Sequence, residues 1–140
     1  MKTTVLQDNL YWYLLRVAIS SKHGLMKIAE KHGLTVMQLY TLCLLDNDTS
    51  IPMNSLSALL YCDASNVTGI VERLFTQNYI KREENPKDRR SKMITITPKG
   101  AEICQQIFAE LPSHQPAGLI ALPDDQKNQL TTLLKQILEA

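Results

Sequence analysis

Two short stretches hold the side chains best suited to chemistry. Ser65-Asn66-Val67-Thr68-Gly69 sets small hydrogen-bonding groups in a row, and Asn85-Pro86-Lys87-Asp88-Arg89-Arg90-Ser91-Lys92 gathers cations around one carboxylate. Neither is a catalytic constellation. Serine, cysteine and histidine occur, but none stands in a nucleophile-elbow, paired-carboxylate or phosphate-loop context, so no enzyme is expected. The chemistry on offer is recognition. Hydroxyls and an amide match the donors and acceptors that base edges present in a major groove. Lysine and arginine match phosphates, and arginine is the residue that narrow minor grooves attract.

Each stretch needs an element to hold it. Asp63 is a helix cap, and Val67, Ile70, Val71, Leu74 and Phe75 fall at i, i+3, i+4, i+7 and i+8, which puts them on one core-facing stripe. The opposite face shows Ser65, Asn66, Gly69, Glu72, Arg73 and Thr76, with Thr68 at its border. A glycine in mid-helix costs about 1 kcal/mol relative to alanine, and at Gly69 it leaves the outward face open to close approach. The basic run lies between two expected strands, residues 78–83 and 92–97, the second alternating isoleucine with polar positions. A carboxylate beside DNA is repelled, so Asp88 reads as an internal brace that fixes Arg90.

The rest of the chain predicts helices. Residues 6–30 lack proline and are apolar almost all round between Leu10 and Ile19, so this helix needs more than one partner surface. Leu34, Thr35, Gln38 and Leu39 have the spacing of a capping box with a hydrophobic staple, opening a helix that runs to about Leu45. The polar run Asp46-Asn47-Asp48-Thr49-Ser50 then reads as a loop. A short helix with Leu56, Leu59 and Leu60 on one side follows, and the break Tyr61-Cys62-Asp63 joins it to the helix of Asn66. That pairing is a helix-turn-helix. Thr97-Pro98 starts a further helix with Ile103, Cys104, Ile107, Phe108 and Leu111 on one face, stopped by Pro112 and Pro116. From about Asp124 a last helix carries Leu130, Leu133, Leu134, Ile137 and Leu138 on a single stripe.

Composition bounds these readings. A chain of 140 residues suffices for one domain with a real core. No stretch has the length of a membrane span or the order of a signal peptide, so a cytoplasmic protein is expected. Net charge is only +1, yet it is sorted: residues 61–100 hold eight Lys/Arg against five Asp/Glu, and residues 101–140 hold two against five. The positive surplus falls where a phosphate backbone would be met. Cys43, Cys62 and Cys104 are too widely spaced for a zinc knuckle or a disulfide framework. His23 and His32 would lie on opposite sides of a continuous helix. No metal and no cofactor is expected.

Three features now combine in register from Leu34 to Gly100: Leu34-Thr35-x-x-Gln38, the string from Ala64 to Leu74, and Asn85-Pro86-x-Asp88-Arg89-Arg90 followed by Ile96-Thr97-Pro98-x-Gly100. With them the chain resembles the MarR family of winged-helix transcription regulators. The resemblance implies a mainly α (α+β) fold, with one MarR-type domain over residues 1–140. Its winged helix-turn-helix would span residues 34–97, with dimerisation helices at 5–30 and 98–140. It also implies double-stranded DNA as partner. Ser65, Asn66, Thr68 and Gly69 would meet bases and Arg73 a phosphate, while Lys87, Arg89 and Arg90 would form the wing, with Arg90 entering the minor groove and Asp88 bracing it. Broad apolar faces on the outer helices agree with the homodimer that the family implies, reading a pseudo-palindromic operator as a repressor. The prolines between 112 and 123 depart from the longer helix of many relatives.

Regulation is less legible. In MarR-like proteins a small-molecule effector often lodges between dimer helices and winged domain, where Trp12, Tyr13, His23, His32 or Tyr40 would line the space, although core packing is the better account of each of the aromatics. Cys62, beside the start of the recognition helix, offers a thiol switch as an alternative. A winged helix used for protein contact is the remaining alternative; its binding would not weaken steeply with salt, whereas binding to phosphates would.

Overall fold

The computed structural model describes residues 9–45 and 50–140. The expected helix start at Leu6 and the loop reading of residues 46–49 fall outside the described residues. Among the described residues, seven α-helices and three strands follow in order: α1 (Leu10–Lys31), α2 (Val36–Leu44), β1 (Ile51–Pro52), α3 (Leu56–Leu60), α4 (Ala64–Thr76), β2 (Ile80–Glu84), β3 (Lys92–Ile96), α5 (Pro98–Glu110), α6 (Ala117–Ile120) and α7 (Asp124–Glu139).

Local chemistry sets the boundaries. Asn9 Oδ1 accepts the Trp12 N–H at 3.0 Å at the start of α1. The capping box of α2 is complete, with Gln38 N–H donating to Thr35 Oγ1 (3.1 Å) and Thr35 N–H to Gln38 Oε1 (3.0 Å). Tyr61 ends α3 in the left-handed region at φ 53°, and Asn78 does the same after α4 at φ 62°. Two residues beyond Asn78, β2 begins, so the strand starts later than residue 78 and runs to Glu84.

The sheet is antiparallel in the order β1-β3-β2. Ile80 pairs with Ile96 and Arg82 with Ile94, and β1 adds Ile51 opposite Ile94. Sequence periodicity did not reveal β1, because two residues cannot show a period. Pro52 is tolerated there because the strand is an edge.

Two compact units divide the chain, one comprising the segment up to Gly24 with Ser113–Ala140, the other Leu25–Pro112. The second holds the core: Ile28, Leu42, Leu56, Leu74, Ile80, Ile94 and Ile107 are almost wholly buried. It is wider than residues 34–97, since it takes in the end of α1 and all of α5. At its base Lys31 Nζ lies 2.9 Å from Glu110 Oε1, with His32 Nε2 3.4 Å from the same oxygen. These partners hold the Glu110 carboxyl below the usual carboxylate range, Lys31 most of all.

In the first unit, Leu10, Val17 and Ile19 of α1 and Leu133, Ile137 and Leu138 of α7 are exposed in the single chain. The segment after α5 is more ordered than a simple stop. A 3₁₀ turn over Leu111–His114 and then α6 occupy it.

Candidate nucleic-acid interface

α3 and α4 meet at the Tyr61-Cys62-Asp63 turn, and Asp63 sets the geometry of everything after it. Its Oδ1 accepts the Asn66 N–H at 3.0 Å and the Ser65 hydroxyl at 2.8 Å. Those two donors, the backbone one first, lower its pKa below the ordinary carboxylate value. Val67, Val71 and Leu74 are buried as the amphipathic pattern requires. Phe75 differs. It stays 38% exposed, and the Arg82 guanidinium stacks 4.0 Å from its ring centroid while Nη1 pairs with Glu72 at 2.6 Å. A cation from β2 thus roofs the edge of the stripe, a cross-element contact with no signal in the spacing.

The opposite face of α4 is open. Ser65, Asn66, Thr68, Gly69 and Arg73 are all exposed. Ser65 spends its hydroxyl hydrogen on Asp63, and Thr68 donates to the Ala64 carbonyl at 3.0 Å. Both therefore offer lone pairs to an incoming donor rather than protons to an acceptor. Among the described residues no hydrogen bond holds the Asn66 side-chain amide. A Cβ built on Gly69 would meet nothing within 4 Å, so the fold does not require glycine at this position.

Beside this face lie two concavities. One of about 390 Å³ is bounded by Thr35, Gln38, Cys62, Ser65, Asn66 and Gly69. The other, about 300 Å³, lies between the first turn of α4 and the hairpin and is lined by Asn54, Ser57, Ala64, Thr68 and Arg90 among others. Asp63 caps the N-terminal end of α4, and Cys62, which precedes it, is half-buried.

The hairpin between β2 and β3 is a chain of local bonds. Asn85 Oδ1 accepts the Lys87 N–H at 3.0 Å, the Asp88 N–H reaches the Asn85 carbonyl at 3.2 Å, and Asp88 Oδ1 accepts the Arg90 N–H at 3.0 Å. Buried Ser91 ties the loop to Asn54. The brace expected of Asp88 is therefore made mainly to the Arg90 backbone. Its contact with Arg90 Nε is 3.6 Å and the Arg90 side chain is 95% exposed, so the loop is fixed while the charged tip stands in solvent. Lys81 and Lys92 pair with Glu83 and Glu84. Among the described residues no ion pair engages Lys87, Arg89 or Arg73, which leaves the positive charge at the loop tip and the end of α4.

The other candidates are scattered. Trp12, Tyr13 and His23 are exposed in the first compact unit, and Tyr40 is exposed in the second. In the single chain these aromatics are not core. Among the described residues no group of three or more His, Cys, Asp or Glu is placed to hold a metal ion, and no helix is long and apolar enough to cross a membrane.

Comparison with known proteins gives a consistent result. A model of the MarR family matches residues 34–92. The multiple antibiotic resistance protein MarR of Salmonella typhimurium is 31% identical over 109 residues, covering 75% of this chain and 74% of that protein. The apo crystal structure of wild-type MarR from E. coli superposes with a TM-score of 0.80 at 23% identity, covering 98% of this chain and 99% of the other. CouR from Rhodococcus jostii, solved with p-coumaroyl-CoA bound, gives 0.75 at 24% identity, covering 96% and 95%.

Proposed function

The chain belongs to the MarR family of DNA-binding transcription regulators, and from that premise we propose that it acts as a homodimeric repressor on a pseudo-palindromic operator. The observation that carries this reading is the pairing of an open, hydrogen-bonding α4 face with a pinned hairpin on which, among the described residues, Lys87 and Arg89 have no ion pair and the Arg90 side chain is exposed. α4 enters the major groove, where Ser65, Asn66 and Thr68 meet base edges and Gly69 admits the duplex closely. Arg73 meets a phosphate. Lys87, Arg89 and Arg90 follow the flanking backbone and minor groove, with Asp88 holding the loop that bears them.

The winged part spans residues 34–97 and the dimer is built from residues 5–30 and 98–140. The exposed apolar side chains of α1 and α7 support this, because large exposed apolar surface marks association. Two-fold symmetry then sets half-sites roughly 34 Å apart. A small-molecule effector releases the operator; the acyl-CoA bound to CouR supports a ligand-responsive design. The work is done in the cytoplasm, where the chromosome is.

Equilibrium binding to genomic fragments at a series of salt concentrations tests the proposal. A specific complex whose affinity falls steeply with salt is expected. Binding that is absent, or indifferent to salt, would refute it.

A further inference from the structure

Cys43 and Cys104 come together in the second compact unit although the sequence holds them far apart. Cys43 is half-buried near the end of α2 and Cys104 is 8% exposed on α5. The Cys104 thiol donates to the carbonyl of Leu42, the residue before Cys43, at 3.5 Å, and the two thiols shift each other's ionisation. Both line one cleft of about 400 Å³, with Leu44, Leu45, Ile96 and Phe108 forming apolar walls.

We propose that Cys43 and Cys104 are a redox-active dithiol: a hydroperoxide oxidises Cys43, and Cys104 then closes an intramolecular disulfide that ties α2 to α5. The pair is asymmetric in the way such chemistry needs. The neighbouring Cys104 thiol lowers the Cys43 thiol below its ordinary pKa against the opposing effect of burial. Cys43 beside it, burial and the charge on Cys43 push Cys104 upward. Cys43 is thus the attacking thiolate and Cys104 the reserve.

In the first step Cys43 Sγ attacks the outer peroxide oxygen. The O–O bond breaks, Cys43 becomes a sulfenic acid, and the peroxide leaves as an alcohol after taking up a proton. Loss of the thiolate removes what kept Cys104 protonated. Cys104 Sγ then attacks the sulfenic sulfur, hydroxide departs and takes the Cys104 proton, and water is released. In all, two thiols and one hydroperoxide yield one disulfide, one alcohol and one water. Cys62 takes no part.

The effect on DNA rests on the function proposed above. Leu39 and Leu42 of α2 pack in one core cluster with Val67 and Val71 of α4, so a bond drawn at Cys43 acts on the helix beneath the DNA-facing one.

The test treats the reduced full-length chain with tert-butyl hydroperoxide and maps its peptides without reduction. A linked Cys43–Cys104 peptide, formed equally in Cys62→Ser, is expected, and Cys104→Ser should stop at a sulfenic acid on Cys43 that dimedone traps. No linked peptide, or oxidation confined to Cys62 or to bonds between chains, would overturn the dithiol. Operator affinity should fall about fivefold or more on oxidation, recover with dithiothreitol, and stay constant in Cys104→Ser. A disulfide that leaves affinity unchanged would overturn the regulatory link. Reduced protein that binds no DNA would instead strike the proposed function while leaving the peptide map intact.

Discussion

Asn66 and Arg90 divide recognition between them. The Asn66 amide stands on a rigid helix beside a filled cap, so its replacement by alanine should cost about 1–3 kcal/mol of discrimination between operator and random DNA. Arg90 is different, because its side chain is exposed on a loop pinned through Asp88. Arg90→Ala should weaken specific and random binding alike and reduce the salt slope by about one. Competition titrations over several salt concentrations separate the two, and identical behaviour of both variants would reverse the assignment. Gly69 gives a sharper separation of folding from function. A Cβ there meets no atom, so Gly69→Ala should raise stability by about 1 kcal/mol in urea unfolding, while weakening DNA binding where the duplex comes closest. A variant that is both more stable and as tight a binder would remove Gly69 from the interface.

At the scale of elements, close approaches decide what can change. A Cβ on Gly100 would lie 2.1 Å from the Tyr79 carbonyl and 2.8 Å from Ile96 Cγ1, where α5 leaves the sheet. Gly100→Ala should therefore destabilise the chain by about 1–3 kcal/mol, read as a lower urea midpoint. The join between α1 and α5 adds a pH dependence. Lys31 and His32 depress the pKa of Glu110, so its contribution is full above the unfolded carboxylate value of about 4.3 and is lost as pH falls through the lower folded value. Glu110→Gln should flatten stability in that acidic window, and an unchanged profile would show that the carboxylate adds nothing. Much of this scaffold was legible beforehand: the caps at Thr35, Asp63 and Thr97 and the stripe on α4 are local patterns, and local patterns survive in a sequence. β1, the Arg82 roof over Phe75 and the Cys43–Cys104 contact were not, because each depends on residues that only tertiary packing brings together. The brace at Asp88 was half legible. Spacing identified its partner, but only the folded loop distinguishes the Arg90 backbone from its guanidinium.

For the whole molecule, the question is what covers the apolar faces of α1 and α7. If a second copy does, Leu133→Asp with Ile137→Asp should yield monomers by sedimentation and loosen operator binding, whereas a wild-type chain that is monomeric at micromolar concentration would refute the dimer. Symmetry is then what turns two modest protein–DNA contacts into one specific site. Hydroxyl-radical footprinting of the wild-type protein on its highest-affinity genomic fragment tests this most directly. Two protected patches related by a dyad, on one face of the duplex and roughly 34 Å apart, each with protection extending into the adjoining minor groove, are the expected result. A single unpaired patch, or a uniform pattern without register, would contradict it.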